Sequence, residues 1–364
     1  MTRTAMIMAG GTGGHIMPGI AVAECLRASG WSIVWMGAKT GMEARLVPSR
    51  GYRMAWIGAR ALRGKGLLAK LLLPTNLLVS FWQSAAAIFR ERPDLVLGMG
   101  GYVAFPGGMM AALLGRPLAI HEQNAVAGLA NRVLAGVADR TMSGFPDALK
   151  KAEWTGNPVR EEFACVPAPE ARYAGRSGPL SLLVVGGSLG AQALNEALPQ
   201  ALALLAPQVR PRVVHQAGEA HLPALRERYA AAGFALQGNP PPVEVVGFID
   251  DIAARYADAD LVVCRAGAIT VAELSALGAA SILVPFPHAV DDHQSANARF
   301  LAERGAAILL PQASLTPARL AELIGSLDRA ALAAMAAKAR ALGKPDAARV
   351  VAERCIALAE GRPA

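Results

Sequence analysis

The chain is poor in cysteine: 364 residues hold only 4, at Cys25, Cys165, Cys264 and Cys355, and no two form a CxxC pair. That spacing excludes a zinc ribbon, argues against a disulfide scaffold and fits a reducing, cytosolic compartment. Aromatic residues are scarce too, at 5%. No aromatic-rich basic repeat of the kind that stacks on nucleic acid is present, which speaks against a nucleic-acid-binding protein. No stretch offers the roughly 20 uninterrupted apolar residues of a membrane span. The nearest, Leu67 to Trp82, is broken by Lys70, Pro74 and Asn76. The apolar run in the opening MTRTAMIMAGG is too short for a signal-peptide core. Acid is missing from one whole window. From Ala44 through Arg90 there is no Asp or Glu, while Arg45, Arg50, Arg53, Arg60, Arg63, Lys65, Lys70 and Arg90 lie inside it. Those eight charges match the entire net charge of +8. A field so localised seeks a polyanion, either an anionic membrane surface or nucleic acid.

What is present is a globular composition, 53% hydrophobic and 18% charged, in a chain longer than one core usually serves. Two domains are the expectation. Two segments share one plan. Thr4 to Ala9 is a short apolar run ended by Gly10-Gly11-Thr12-Gly13-Gly14 and followed by a helix-like stretch from Pro18 to Ala28. Ser181 to Val185 is another, ended by Gly186-Gly187-Ser188-Leu189-Gly190 and followed by a helix-like stretch from Gln192 to Leu205. Strand, glycine loop and helix, twice over, predict two Rossmann-like halves. Further buried-strand runs at Ser32–Met36, Leu95–Gly98, Leu118–His121, Arg212–His215, Val243–Val246, Leu261–Cys264 and Ser281–Val284 alternate with helix-length segments. That alternation predicts an α/β fold with parallel sheets. The turn Gly156-Asn157-Pro158 places the boundary near 159, giving domains 1–159 and 160–345. An amphipathic tail helix, about 346–364, is expected to pack back on the first domain.

Neither glycine loop fits the dinucleotide fingerprint. The third glycine counted from Gly11 would be Ile16, and the second counted from Gly186 would be Ser188. Neither fits a P-loop, since no Lys-Ser or Lys-Thr follows at the right spacing. Phosphate proximity survives both mismatches, because glycines let backbone N–H groups approach a ligand at the positive end of a helix. The alternative is a tight strand-to-helix turn, which needs only one or two glycines. His15 follows the first loop, at the carboxyl edge of a strand where open α/β sheets bind ligands. Histidine is the side chain that titrates near neutral pH, which suits a proton acceptor.

A set of strings in fixed order resembles the MurG family of N-acetylglucosaminyltransferases. They are MAGGTGGH (Met8–His15) with Pro18-Gly19, LGMGGYVAFPGG (Leu97–Gly108), HEQNAVAGLAN (His121–Asn131), GNPVR (Gly156–Arg160), VVGGSLGA (Val184–Ala191), FIDD (Phe248–Asp251), CRAGAITVAE (Cys264–Glu273) and the DDHQSANA stretch (Asp291–Ala298). The resemblance implies a GT-B fold, two Rossmann-like domains facing across a cleft. It implies transfer of N-acetylglucosamine from UDP-N-acetylglucosamine to the 4-hydroxyl of the N-acetylmuramoyl unit of undecaprenyl-linked lipid I, forming lipid II with inversion. It also implies a peripheral protein on the cytoplasmic face of the bacterial inner membrane.

Carried over residue by residue, the resemblance places Thr12, Gly13 and Gly14 against the donor and Asn124 against its sugar. Arg160 and Ser188 would approach the nucleotide and diphosphate, and Ile249 would hold the uracil through its backbone. Ala268, Ile269, Thr270, Val271, Ala272 and Glu273 would wrap diphosphate and ribose, with Glu273 on the ribose hydroxyls. Gln294 and Asn297 would read the sugar hydroxyls. Arg265 and the N–H groups after Gly267 add a cation and a helix start for the diphosphate. Thr270-Val-Ala-Glu273 also reads as a capping box, worth about 1 kcal/mol. His15 is the first candidate for the general base and Glu122 the second; His121 is expected to be packed at a strand end. His288 and His293 lack a metal-ligand pattern, so no metal and no cofactor are expected.

Beyond Pro74, the residues Leu77, Leu78, Phe81, Trp82, Ala85, Ile88 and Phe89 recur at helical spacing, and about half of them are expected in the core. With Arg63, Lys65, Lys70, Leu71 and Leu72 beside them, Leu78, Phe81 and Trp82 are assigned to an anionic-membrane face. Two other functions remain open: a UDP-N-acetylglucosamine 2-epimerase on the same fold, which leaves the basic window unexplained, and a basic nucleic-acid-binding protein.

Overall fold

The computed structural model describes residues 2–59, 73–187, 190–238 and 241–362. It divides into two compact units, Met1–Glu161 with Lys344–Ala364, and Glu162–Gly343.

In the first unit seven parallel strands run in the order β3-β2-β1-β4-β5-β6-β7. They are β1 (Thr4–Met8), β2 (Ser32–Gly37), β3 (Arg53–Trp56), β4 (Leu95–Gly98), β5 (Leu118–Glu122), β6 (Arg140–Ser143) and β7 (Glu153–Trp154). The central strands are apolar throughout because both faces are covered. Alternate residues of β1 divide between two cores. Ile7 joins Ile16, Trp35 and Leu97 on one face, whereas Met6 and Met8 join Met36, Ile88 and Ile120 on the other. Each such fully buried side chain contributes about 1.5–3 kcal/mol. Helix α1 (Gly13–Ala28) and the C-terminal helix, α9 (Ala347–Ala359), cover the first face, α9 through Val351, Ala352 and Cys355. Helices α2 (Leu73–Glu91) and α3 (Ala104–Leu113) cover the second, through Ile88 and Ala111.

The second unit repeats the plan with six parallel strands in the order β10-β9-β8-β11-β12-β13. These are β8 (Ser181–Val185), β9 (Arg212–Gln216), β10 (Val243–Val246), β11 (Leu261–Cys264), β12 (Ser281–Leu283) and β13 (Ile308–Leu309). Its helices include α4 (Gln192–Leu204), α5 (Leu222–Ala231), α6 (Ala268–Leu277), α7 (His293–Ala302) and α8 (Arg329–Leu342). Leu194, Leu198 and Leu202 recur along α4 and meet Val184 and Val263 of the sheet in one core.

Strand order reverses at β1/β4 in the first sheet and at β8/β11 in the second, where β1 pairs β4 through Met8 and Gly98 and β8 pairs β11 through Val185 and Cys264. These are the points at which open α/β sheets leave room for ligands beyond the strands' carboxyl ends. Helix α1 differs from its sequence reading. It begins at Gly13, with Pro18 inside it, instead of at Pro18. Proline at that position removes one backbone bond, to the carbonyl four residues back, and the buried ring packs in return.

Candidate functional site

In the first unit the loops after β1, β4 and β5 meet. Gly100 and Gly101 follow β4 with φ of 89° and 80°, the left-handed region that favours glycine. A Cβ on Gly101 would strike the carbonyl oxygen of Gly10, so the two glycine loops lie backbone to backbone. Beneath them Glu43 is fully buried. Its Oε2 accepts from the Gly11 N–H at 3.1 Å and its Oε1 from the Ala38 N–H at 3.1 Å. The Tyr102 hydroxyl also donates to Oε1, at 3.3 Å. Burial and then this carboxylate push the Tyr102 phenol up to about 12, so it stays a donor.

His15 stands in the first turn of α1, half-buried, with Thr12 as the exposed N-cap. Thr12 makes no side-chain cap bond, and the first-turn N–H groups of Gly13 and Gly14 have no partner within a helix. The His15 ring meets Gln123 just beyond β5, Nδ1 to Oε1 at 2.8 Å. His121 is buried, its Nε2 2.9 Å from the Gly156 carbonyl, and burial pushes its pKa down to about 4. Glu122, also buried, accepts from the backbone N–H of Asn124 (2.9 Å) and Gly128 (3.2 Å) and from the Asn131 side chain (2.9 Å). The carboxylate therefore pins the loop that carries Asn124, whose own side chain donates to it at 3.4 Å. Arg160 is half-buried at the end of the same unit.

In the second unit the corresponding loops are built differently. Gln216, at the end of β9, accepts from the Gly187 N–H at 3.1 Å and donates to the carbonyls of Gly187 (2.9 Å) and Gly247 (3.0 Å). Ser188 lies outside the described residues. Helix α6 leaves the end of β11 with Gly267 as its N-cap and no side-chain cap bond. This corrects the capping-box reading. Thr270 sits at the third helical position and Glu273 beyond the first turn, because the extended Gly267 (ψ 146°) already starts the helix. The N–H groups of Ala268, Ile269 and Thr270 thus lack intrahelical acceptors at the switch point. Val271 is buried; Ala272 and Glu273 are half-buried. Burial, then the charge of Glu273, raise the pKa of the Cys264 thiol.

Arg265 engages the loop after β12 through one guanidinium nitrogen. It donates to the carbonyls of Val284 (3.1 Å) and Pro285 (3.3 Å) and lies over the Phe286 ring, 5.4 Å from its centroid. In this arrangement it shapes the 284–286 turn. Gln294 accepts from the Phe286 N–H at 2.9 Å, and Asn297, buried in α7, donates to the Ala266 carbonyl at 3.2 Å. Both therefore brace loops around the start of α6. Asp291 and Asp292 take left-handed φ of 52° and 50° before α7, and Ser295 Oγ donates to Asp292 at 2.6 Å. Ile249 is half-buried beyond the carboxyl end of β10. Among the described residues no three His, Cys, Asp or Glu are grouped to hold a metal ion.

Of the basic, apolar stretch, Arg63, Lys65, Lys70, Leu71 and Leu72 lie outside the described residues. Helix α2 presents two faces. Ser84, Ala87 and Ile88 are buried, and Phe81, half-buried, meets Phe105 edge-on at 5.9 Å. Leu78, Trp82 and Phe89 are 68%, 72% and 63% exposed, and Leu113 at the end of the adjacent α3 is 72% exposed. No described helix is long and apolar enough to cross a membrane. Leu113, Glu43 and Gln216 went unmarked in the sequence reading, and Gln123 entered it only as part of the HEQNAVAGLAN string. Glu43 also carries a local signal, as the last acid before the acid-free window.

The two units match two domain models in chain order: the glycosyltransferase family 28 N-terminal domain over residues 5–143 and the family 28 C-terminal domain over residues 181–351. A protein of Azoarcus sp. (strain BH72), named UDP-N-acetylglucosamine--N-acetylmuramyl-(pentapeptide) pyrophosphoryl-undecaprenol N-acetylglucosamine transferase, is 66% identical over 362 residues, 100% of both chains. The crystal structure of Acinetobacter baumannii MurG aligns with a TM-score of 0.84 at 39% identity, over 97% of this chain and 99% of that one. A putative UDP-N-acetylglucosamine 2-epimerase of Listeria monocytogenes aligns over 100% of this chain and 99% of that one, with a TM-score of 0.63 and 15% identity, a likeness of fold alone. On its two Rossmann-like domains and its full-length identity to such relatives, the chain belongs to the MurG family of glycosyltransferases, of the GT-B fold class.

Proposed function

We propose that the chain transfers N-acetylglucosamine from UDP-N-acetylglucosamine to the 4-hydroxyl of the N-acetylmuramoyl unit of lipid I, forming lipid II. The observation that carries the reading is the 66% identity over the whole chain to a protein named for that transfer. The chemistry is a single displacement. His15 takes the proton of the acceptor hydroxyl as its oxygen bonds to the anomeric carbon. The bond from that carbon to the diphosphate breaks, and UDP leaves with the electron pair, so the anomeric centre inverts. His15 is preferred over Glu122 because four donors already occupy the Glu122 carboxylate, whereas one His15 nitrogen is engaged by Gln123.

The second unit is read as the donor domain. The first-turn N–H groups of α6 suit the leaving diphosphate, and Glu273 suits two adjacent ribose hydroxyls. Thr12, Gly13, Gly14, Asn124, Arg160, Ser188 and Ile249 keep their donor assignments, whereas Gln294 and Asn297 support the site through the loops they brace. The first unit is read as the acceptor and membrane domain. An exposed apolar face of Leu78, Trp82, Phe89 and Leu113, the first three within the acid-free basic window of the sequence, suits peripheral attachment to the cytoplasmic leaflet. The partners are therefore the UDP-sugar, lipid I and anionic lipid, without nucleic acid.

One assay tests this against its rivals. The chain is incubated with labelled UDP-N-acetylglucosamine and lipid I, and the lipid fraction is counted. Label in lipid supports the transfer. An epimerised UDP-sugar with no label in lipid would replace it with the epimerase, and salt-sensitive RNA binding without turnover would favour the nucleic-acid reading.

A further inference from the structure

We propose that Gln123 is a positioning residue that fixes the tautomer of His15, placing the proton on Nδ1 and leaving the lone pair on Nε2. The inference rests on the reading of His15 as the base, for which a bare ring nitrogen is required.

The direction of each hydrogen bond follows from two groups that only accept. The Gly156 carbonyl lies 2.9 Å from His121 Nε2, so that nitrogen must carry a hydrogen. His121 is fully buried and its pKa is pushed down, so near neutral pH the ring holds one proton and Nδ1 is bare. The Gln123 amide nitrogen sits 3.1 Å from this Nδ1 and 3.1 Å from the His121 carbonyl, and its two hydrogens serve both. Turning the amide over would set its oxygen against a carbonyl oxygen and a lone pair, so the assignment is determined by the network. Gln123 Oε1 then faces His15 Nδ1 at 2.8 Å and can only accept. His15 Nδ1 is the donor, and a neutral imidazole protonated there has its lone pair on Nε2.

The frame around this relay is tight. Asn157 donates to the Gln123 carbonyl at 2.9 Å and Asn131 to the His121 carbonyl at 3.3 Å. The loop after β4 closes over the pair, since a Cβ on Gly100 would lie 2.8 Å from His15 Nδ1 and 3.3 Å from Gln123 Oε1. The Gly156-Asn157 turn thus reaches His15 through three side-chain hydrogen bonds, although 141 residues of sequence separate His15 and Gly156 (156 − 15).

The test is spectroscopic first. In protein labelled with nitrogen-15 at histidine, held at pH about 8 so that exposed imidazoles are neutral, long-range proton–nitrogen spectra read each tautomer. Wild type is expected to show His15 protonated on Nδ1. Gln123→Leu removes the acceptor, and His15 is expected to revert towards the Nε2–H form that free imidazole side chains prefer. Turnover should then fall about tenfold, with KM for UDP-N-acetylglucosamine within about twofold. A changed tautomer together with lowered turnover at unchanged KM is an outcome a role in folding alone would not produce. His15 protonated on Nε2 in wild type, or an unchanged tautomer in Gln123→Leu, overturns the proposal. Should Gln123→Leu fail to fold, the wild-type spectrum alone decides. Full turnover in His15→Ala with the Nδ1–H tautomer seen in wild type would instead defeat the reading of His15 as base.

Discussion

Lowering the pH from 7 to 5 is expected to weaken the first unit through His121. Its pKa is about 4 in the folded chain because the ring is buried away from water. Unfolded, a histidine titrates at about 6.5. Between those values the unfolded chain holds a proton that the folded chain refuses, so the stability from the neutral ring is complete above about 6.5 and is lost as pH falls towards 4. Each pH unit in that window is worth about 1.4 kcal/mol, which amounts to roughly 2 kcal/mol between pH 7 and 5. Protonation would also set two donors, His121 Nδ1–H and the Gln123 amide, against each other. The assay is urea unfolding followed by tryptophan fluorescence, which reads this unit because Trp31, Trp35, Trp56, Trp82 and Trp154 all belong to it. The comparison is with His121→Gln, whose amide does not titrate. Carboxylates elsewhere contribute alike to both proteins, so wild type should lose about 2 kcal/mol more than the variant over this range. Equal losses in the two proteins, or an imidazole that titrates by NMR near its ordinary value, would refute the reasoning.

Glu43→Ala leaves the Gly11 and Ala38 amides without their acceptor, and should destabilise the first unit by about 2–4 kcal/mol in the same unfolding assay. Gly101→Ala combines a left-handed φ with a clash on the Gly10 carbonyl; a loss of about 3 kcal/mol is expected, seen as a lower urea midpoint. Trp82→Glu should weaken sedimentation with anionic vesicles at low salt by about tenfold or more, while UDP binding measured by calorimetry stays unchanged.

The elements legible in the sequence are those whose local pattern and tertiary environment agree. Strands β1, β4, β8 and β11 are continuous apolar runs because both their faces are covered, and they lie at the centres of the sheets. Strands β3, β6, β7 and β13 escaped notice because they are short and lie at or near sheet edges; the two-residue β7 has no periodicity to read. The same distinction runs through the candidate site. The glycine loops and His15 are visible because they sit in sequence next to a strand end. Glu43 and Gln216 act on backbone groups that only the fold brings to them, Gly11 across 32 residues and Gly187 across 29, and Gln123 meets the His15 ring across 108. Arg265 is a further case. Its charge reads as a phosphate ligand from sequence, and the fold adds a contact the sequence does not show, one guanidinium nitrogen donating to the carbonyls of Val284 and Pro285.

The central claim is that His15 takes the acceptor proton in a transfer from UDP-N-acetylglucosamine to lipid I, and turnover of His15→Ala tests it most directly. The variant should bind UDP as wild type does by calorimetry, yet form labelled lipid product about 100-fold more slowly or worse. Near-normal product formation by His15→Ala would contradict the account.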